Sequence, residues 1–256
     1  MRLSGNVAIV TGGGQGLGKY LSKRLAQEGA TVVLAGRTLA ALDAAVEEIT
    51  SAGGAAAAIP TDVAQEQHVV ELVSSTVERF GSIDILVNNA GQVGPMGDFM
   101  SAPAEAWLQN YQVNLMGSMF CSREAMKAML PKRKGSIINI SSIGGTHGFL
   151  PTMPYNVTKA ALNVLTKDLA RIGAAHLVRA NAITLGPVDL VEGRVESDHG
   201  ENVVESVDIW PMFGLAKPAS EWLDPDDIAK MVAFLASEDA RTVNGQIIEL
   251  LSSVKE

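Results

Sequence analysis

One cysteine, Cys121, stands in a chain of 256 residues. That excludes an intrachain disulfide framework, a Cys-x-x-Cys redox pair and a thiolate cage for zinc. The four histidines, His68, His147, His176 and His199, lack metal-ligand spacing, so no metal is expected. Positive charge is scarce: 20 Lys and Arg face 28 Asp and Glu, and the formal charge of -8 argues against nucleic acid, which is held by a basic stripe. The one basic run, Lys132-Arg133-Lys134, reads as a solvated turn. No apolar run approaches the ~20 residues that cross a bilayer, and the first five residues lead into an apolar strand without a signal-peptide stretch. A cytoplasmic protein with no membrane partner is expected. Linkers, repeats and low-complexity tracts are missing too, so residues 1–256 are expected to form one domain. Aromatics make up only 5%, whereas 25 glycines and many alanines favour close packing of helices on a sheet.

What is present is a clear alternation of periods. Short β-branched runs at 7–11, 31–35, 56–60, 83–87, 136–140, 179–183 and 246–250 read as strands. Between them, 3.6-residue spacing predicts helices over 16–28, 38–51, 65–80, 103–130, 153–174 and 225–237. Strand and helix in alternation give an α/β fold with a parallel sheet covered by helices. Gly29, Gly53 and Gly81 stand where helices can end in a left-handed residue. Asp224-Pro225-Asp226-Asp227 supplies a cap, a first-turn proline and two acids at the positive end of the last helix, so these carboxylates read as structural. Segment 189–223 breaks the rhythm: it opens acidic, carries Trp210, Met212, Phe213 and Trp222, and is expected to form a substrate lid.

The first strand runs into Thr11-Gly12-Gly13-Gly14-Gln15-Gly16-Leu17-Gly18, which opens the first helix. Glycine there lets the backbone approach a pyrophosphate, and the helix N-terminus offers N–H groups and partial positive charge. The spacing is T-G-x-x-x-G-x-G; it matches neither G-x-G-x-x-G nor a Walker loop. Further on come Asn88-Asn89-Ala90-Gly91 after the fourth strand, Asn114 in the following helix, and Ser142, Tyr155 and Lys159. Tyr155 and Lys159, four residues apart at the start of a helix, share a face, so an ammonium can lie near a phenol and favour its ionised form. Ser142 follows an apolar strand, at the carboxyl end where open α/β sheets bind ligands. Ser141 is an adjacent competitor.

Together these motifs resemble the short-chain dehydrogenase/reductase family in its form of roughly 250 residues. The resemblance implies a Rossmann-like doubly wound sheet of seven mainly parallel strands in the order 3-2-1-4-5-6-7. It also selects Ser142, thirteen residues before Tyr155, as the hydroxyl that bonds the substrate oxygen. Tyr155 would give or take the proton, Lys159 would hold the nicotinamide ribose, and Asn114 would anchor a water relay behind the lysine by stabilising a helix irregularity that leaves a carbonyl free. Gly12, Gly14, Gln15, Gly16, Leu17 and Gly18 would cradle the pyrophosphate, with Asn89, Ala90 and Gly91 beside them. Asp62 would accept from the adenine amino group next to Val63, or cap the following helix. Gly36 takes the place of the acid that selects NAD and is followed by Arg37, which favours NADP(H) by pairing with a 2'-phosphate. Gln15 lends this no support, and NAD(H) is the alternative.

Two positions depart from the family. Leu185 stands where a proline is usual after the sixth strand, and Leu190 replaces a threonine that helps hold the nicotinamide carboxamide. Gly186 and the backbone of Val188 remain for that purpose. Glu249-Leu250-Leu251-Ser252 also departs from the usual Val-Asp-Gly-Gly ending. Met96, His147, Phe149, Leu150, Met153, Trp210, Met212 and Phe213 are expected around an apolar substrate pocket, or in core packing, with His147 alternatively on a surface loop. Surplus apolar positions on helices 103–130 and 153–174 suggest a homodimer or homotetramer, with a single thicker core as the alternative. The expected activity is hydride transfer between NADP(H) and a ketone or secondary alcohol. The alternatives are an NAD(H)-dependent dehydrogenase of another alcohol or a 3-oxoacyl substrate, and a cofactor-binding scaffold or sensor with little turnover. Ser-His-Asp hydrolysis is a poor rival, because Ser142 is not on a G-x-S-x-G elbow.

Overall fold

The computed structural model describes residues 1–94, 99–149, 152–190, 210–218 and 222–253. Seven parallel strands form one sheet in the order β3-β2-β1-β4-β5-β6-β7. They are β1 (Val7–Thr11), β2 (Thr31–Gly36), β3 (Ala55–Pro60), β4 (Ile85–Asn88), β5 (Gly135–Ser142), β6 (Val178–Leu185) and β7 (Ile247–Leu250). The crossovers carry α1 (Gly16–Gln27), α2 (Leu39–Ser51), α3 (Glu66–Phe80), α4 (Ala104–Asn110), α5 (Ser118–Lys132), α6 (Gly144–His147), α7 (Met153–Ala174) and α8 (Pro225–Ala236). Strand order reverses beside β1, where β2 lies on one side and β4 on the other. Such switch points open a crevice at the carboxyl ends of the strands.

The period of two along each strand sorts the core into two halves. Ala8, Val10, Val32, Leu34, Ile138 and Ile140 pack with Leu21 and Leu25 of α1, Leu42 of α2 and Ile228 and Val232 of α8. Their neighbours Ile9, Val33, Ala35 and Ile137 face the other way, onto Leu72 of α3, Cys121, Ala125 and Met129 of α5 and Leu169 of α7. Burial on both faces explains why β1 reads as a continuous apolar run rather than an alternation. Cys121 lies in this second half, and burial pushes its thiol up to about 12.

Most boundaries fall within two residues of the pattern reading, with β5 and β6 running on to Ser142 and Leu185. The expected strand 83–87 begins at Ile85, because the Asp84 carboxylate accepts from Val7 N–H at 2.9 Å and from Ser82 Oγ at 3.0 Å. The expected helix 103–130 is interrupted by a π-helical turn, Tyr111–Gly117. Other sequence features survive intact. Asp224 caps α8 through Asp226 N–H at 2.8 Å, and Gly29, Gly53 and Gly81 all have positive φ. Lys132-Arg133-Lys134 is more than a solvated turn: these side chains bond the Gly81 carbonyl, the Ala175 carbonyl, and Asn6 with Asp84.

Candidate active site

The turn from β1 into α1 is built by clearance. A Cβ on Gly18 would lie 2.0 Å from the Gly12 carbonyl oxygen, so no larger residue fits. Gly16 has φ +49, and the nearest atom to its Cβ position is Leu190 Cδ1 at 3.8 Å. Its outer side is therefore open to a ligand. The end of β4 is tied to this turn: Thr11 Oγ1 accepts from the N–H groups of Asn89 and Ala90, both at 3.0 Å, and Asn89 Nδ2 donates to the Thr11 carbonyl at 3.0 Å. A cavity continues from the turn along Gly36, Arg37, Thr38, Asp62, Val63, Ala90 and Gly91. The exposed Arg37 guanidinium makes no bond among the described residues, and Asp62 is the only carboxylate on the wall. Asp62 Oδ1 accepts from Ala64 N–H at 3.0 Å, making a local turn, whereas the residue preceding α3 is Gln65; it does not cap the helix.

At the carboxyl end of β5 the two adjacent serines separate by role. Ser141 is buried and donates to the Lys159 carbonyl, whereas Ser142 Oγ accepts from Gly144 N–H at 3.1 Å and lies beside the Tyr155 phenol, whose pKa it lowers. Lys159 Nζ donates to the Ile140 carbonyl at 2.7 Å and lies 5.5 Å from the centre of the Tyr155 ring. Burial lowers the Lys159 amine to about 8. Burial also raises the Tyr155 phenol, against a smaller lowering by Ser142. The expected downward pull of the ammonium does not prevail: desolvation of the phenolate is the larger effect in the unliganded chain.

Asn114 is wholly buried in the π-helical turn. Its Oδ1 accepts from Gln92 N–H and its Nδ2 donates to the Gln92 carbonyl, each at 2.9 Å, with Thr158 Oγ1 at 3.2 Å. Its own carbonyl accepts from Ser118 Oγ at 2.9 Å, one of the two hydrogen bonds a carbonyl can take. A Cβ on Gly91 would lie 3.3 Å from Asn114 Oδ1 and 3.5 Å from Lys159 Nζ, so these three residues converge.

The sequence model of the family described as short chain dehydrogenase matches residues 6–202. The chain belongs to that family. An uncharacterized oxidoreductase of Methylorubrum extorquens is 38% identical to this dehydrogenase, with 99% of each chain covered. A cis-4-hydroxycyclohexanecarboxylate dehydrogenase of Sinomonas cyclohexanicum is 32% identical over 94% of this chain and 93% of its own. Among solved structures, an actinorhodin polyketide ketoreductase variant with NADPH superposes with a TM-score of 0.84 and 29% identity, covering 98% of this chain and 97% of that one. Dehydrogenases of this family bind nicotinamide dinucleotides. The open side of Gly16, the bare Arg37 and the cavity between them fit such a group.

Elsewhere in the dehydrogenase, Leu185 replaces proline without disruption, because β6 extends through it to pair with Ser142 and Leu250. A Cβ on Gly186 would lie 2.4 Å from the Leu251 carbonyl oxygen. Pro187 and Asp189 bond Leu223 through their backbones, while no bond among the described residues engages the N–H or carbonyl of Val188. Leu17, at the start of α1, packs against the core.

The expected pocket residues divide. Phe149 stacks on Phe213 with ring centres 4.9 Å apart, and Met153 begins α7, partly buried. His147 turns to Glu249 of β7, Nε2 to Oε1 at 3.0 Å, and Thr146 donates to the same oxygen. Trp210 is 2% exposed, a buried side chain rather than an open pocket wall. Met96, Leu150 and the lid portion 191–209 lie outside the described residues, and Met212 is described only by its backbone. Sequence reading missed Gln92, Thr158 and the Ile140 carbonyl, which act through backbone groups or as ordinary helix residues. Glu249 carried a signal, its departure from the usual family ending.

Proposed function

We propose that the chain is an NADP(H)-dependent oxidoreductase that interconverts a ketone and a secondary alcohol, with Tyr155 as general acid/base. The observation that carries this reading is the Tyr155 phenol beside Ser142 and the buried Lys159, whose Nζ approaches Gly91 at the end of the cavity that runs from Gly12 and Gly14. Bound dinucleotide supplies the hydride in reduction and accepts it in oxidation. In the reductive direction the Tyr155 hydroxyl gives its proton to the substrate oxygen as the carbonyl carbon becomes a secondary alcohol carbon; oxidation reverses the transfer. A phenol raised above its ordinary range is a protonated donor at neutral pH. Ser142 donates a hydrogen bond to the same oxygen and fixes its distance from the phenol. Lys159, released from the Ile140 carbonyl, holds the nicotinamide ribose and lowers the phenol when oxidation requires a base. Asn114 fixes Gln92 and the Thr158 end of α7, which keeps the lysine in register and anchors the water relay.

The glycine turn from Gly12 to Gly18 takes the pyrophosphate, with Asn89, Ala90 and Gly91 at its side. Asp62 and Val63 receive the adenine, and Gly186 with the backbone of Val188 receives the carboxamide. Arg37, exposed and unbonded, pairs with the 2'-phosphate. Gln15 in the same wall adds no charge toward that phosphate and is the observation that keeps NAD(H) as the second reading. Phe149, Phe213 and Met153 form an apolar wall suited to a cyclic or aromatic substrate, with His147 at its edge and segment 189–223 as the lid. Trp210 supports that segment from within the core. The whole chain thus acts as one dinucleotide-binding and catalytic domain. No helix among the described residues is long and apolar enough to cross a membrane, which is compatible with a cytoplasmic enzyme.

Nicotinamide absorbance followed across cyclic, aromatic and acyl-thioester ketones, with NADPH and NADH in parallel, tests both parts. Turnover faster with NADPH, and reversed in favour of NADH by Arg37→Asp, is the expected result. An Arg37→Asp enzyme still preferring NADPH contradicts the cofactor assignment. Bound dinucleotide without turnover on any class favours the scaffold reading.

A further inference from the structure

The opposite end of the sheet holds a second cavity, of about 700 Å³, where β5 and β6 begin at Gly135, Ser136, Val178 and Arg179. That volume is in the range of small-molecule sites. Five cations line it, Arg2, Arg133, Lys134, Arg179 and Arg241, against the carboxylates of Asp84 and Glu238, in a chain whose net charge is -8. Two of the cations are committed to carboxylates: Arg2 to Glu28 at 2.7 Å and Lys134 to Asp84 at 3.0 Å. Three are not. Arg179 donates to the Ser237 carbonyl at 3.0 Å and the Val243 carbonyl at 3.4 Å, and Arg133 to the Ala175 carbonyl at 3.1 Å. The exposed Arg241 side chain has no bond among the described residues.

Arg179 sits partly buried with only the field of Glu238 to offset its charge, and burial lowers its pKa. A cation withdrawn from water without a bonded anion carries a desolvation cost that an oxyanion ligand relieves. Among the described residues only Arg133 and Leu177 are non-glycines with positive φ, at 53° and 57°; Arg133 is the left-handed residue that ends α5, Leu177 lies in the turn after α7, and both line this cavity.

We infer that this cavity binds a small polyanion whose phosphate or carboxylate oxygens are held by Arg133, Arg179 and Arg241. The site lies at the far end of β5 from Ser142 and takes no part in the proposed reaction, so it stands or falls separately from that reading.

Calorimetric titration of inorganic pyrophosphate, with citrate in a parallel arm, into the full chain saturated with NADPH tests it at fixed ionic strength. Saturation keeps the anion out of the glycine turn. The expected result is one binding event per chain in at least one arm, weakened about tenfold or more by Arg241→Gln and by Arg133→Asn and unchanged by Lys167→Ala, at an exposed lysine that lines neither cavity. Pyrophosphate binding alone assigns the site to phosphates, and citrate binding alone to carboxylates. Asparagine tolerates the left-handed backbone at 133, and the Arg241 side chain is exposed and unbonded, so both variants are expected to fold. No binding in either arm, or affinity in both variants equal to the parent's, overturns the inference.

Discussion

Lys159 shows how a single side chain carries a cost until its ligand arrives. Its amine is buried and lowered to about 8 from 10.5. A base with a depressed pKa penalises the fold while it is charged, below about 8. Between 8 and 10.5 the unfolded chain keeps a proton that the folded chain has released, so stability rises with pH across that window. The full effect is on the order of 3 kcal/mol, less what the Ile140 carbonyl returns by accepting from the ammonium. Urea unfolding of the unliganded protein at pH 7 and pH 10 is expected to show this rise in the parent and to lose it in Lys159→Met. Parallel pH dependence in the two would contradict it. At this scale a spacing of four placed Tyr155 and Lys159 on one helix face, and the family resemblance singled out Ser142 and Asn114; their proposed roles rest on the Tyr155→Phe comparison below. The direction of the phenol shift was not legible, since it depends on how completely the fold removes water from around the ring. Nor was Gln92, which meets Asn114 through its backbone and so leaves no mark in its side-chain type.

The β1–α1 turn and the interrupted helix show what periodicity conveys about elements. Strands buried on both faces and helices with one apolar face were readable to within a residue or two at most ends. The π-helical turn left no mark in the periodicity, because Tyr111 to Gly117 keep helix-like spacing; only the family resemblance placed an irregularity at Asn114, which bonds Gln92 and Thr158 across the fold. The glycine turn makes a sharper statement about ligand binding. A methyl on Gly16 meets no atom of the described residues closer than 3.8 Å, so among them the fold tolerates it apart from a cost of about 1 kcal/mol for the left-handed backbone. The same methyl projects where a pyrophosphate would rest. Gly16→Ala is therefore expected to lose at least tenfold in dinucleotide affinity with only a small drop in melting temperature, read by fluorescence titration and thermal unfolding. Unchanged affinity would move the pyrophosphate elsewhere. Gly18→Ala, 2.0 Å from the Gly12 carbonyl oxygen, is expected to fail in folding instead.

The whole molecule presents an exposed apolar stripe along α7, Val157, Val164 and Ile172, with Leu108 and Tyr111 also exposed on the segment that packs against it. Spacings of seven and eight put the three α7 residues on one helix face. We propose this face as the interface of a homodimer or homotetramer, and Val164→Asp with Ile172→Asp is expected to shift the chain to monomer in light scattering; an unchanged mass would place any interface elsewhere. The topology itself was the most legible feature of all, because alternating strand and helix periods leave few arrangements for a parallel sheet. Contacts made by single side chains across the chain, such as His147 with Glu249, follow from that topology and could be seen only once it was built. The central claim at this scale is that one fold brings a dinucleotide and a carbonyl compound to the Tyr155 hydroxyl. It is tested most directly by Tyr155→Phe, which keeps the ring and removes only the proton donor. NADPH affinity by fluorescence and ketone reduction by absorbance are measured on the same preparation. The account predicts unchanged affinity with turnover at least about a hundredfold lower than in the parent; equal turnover in the two would contradict it.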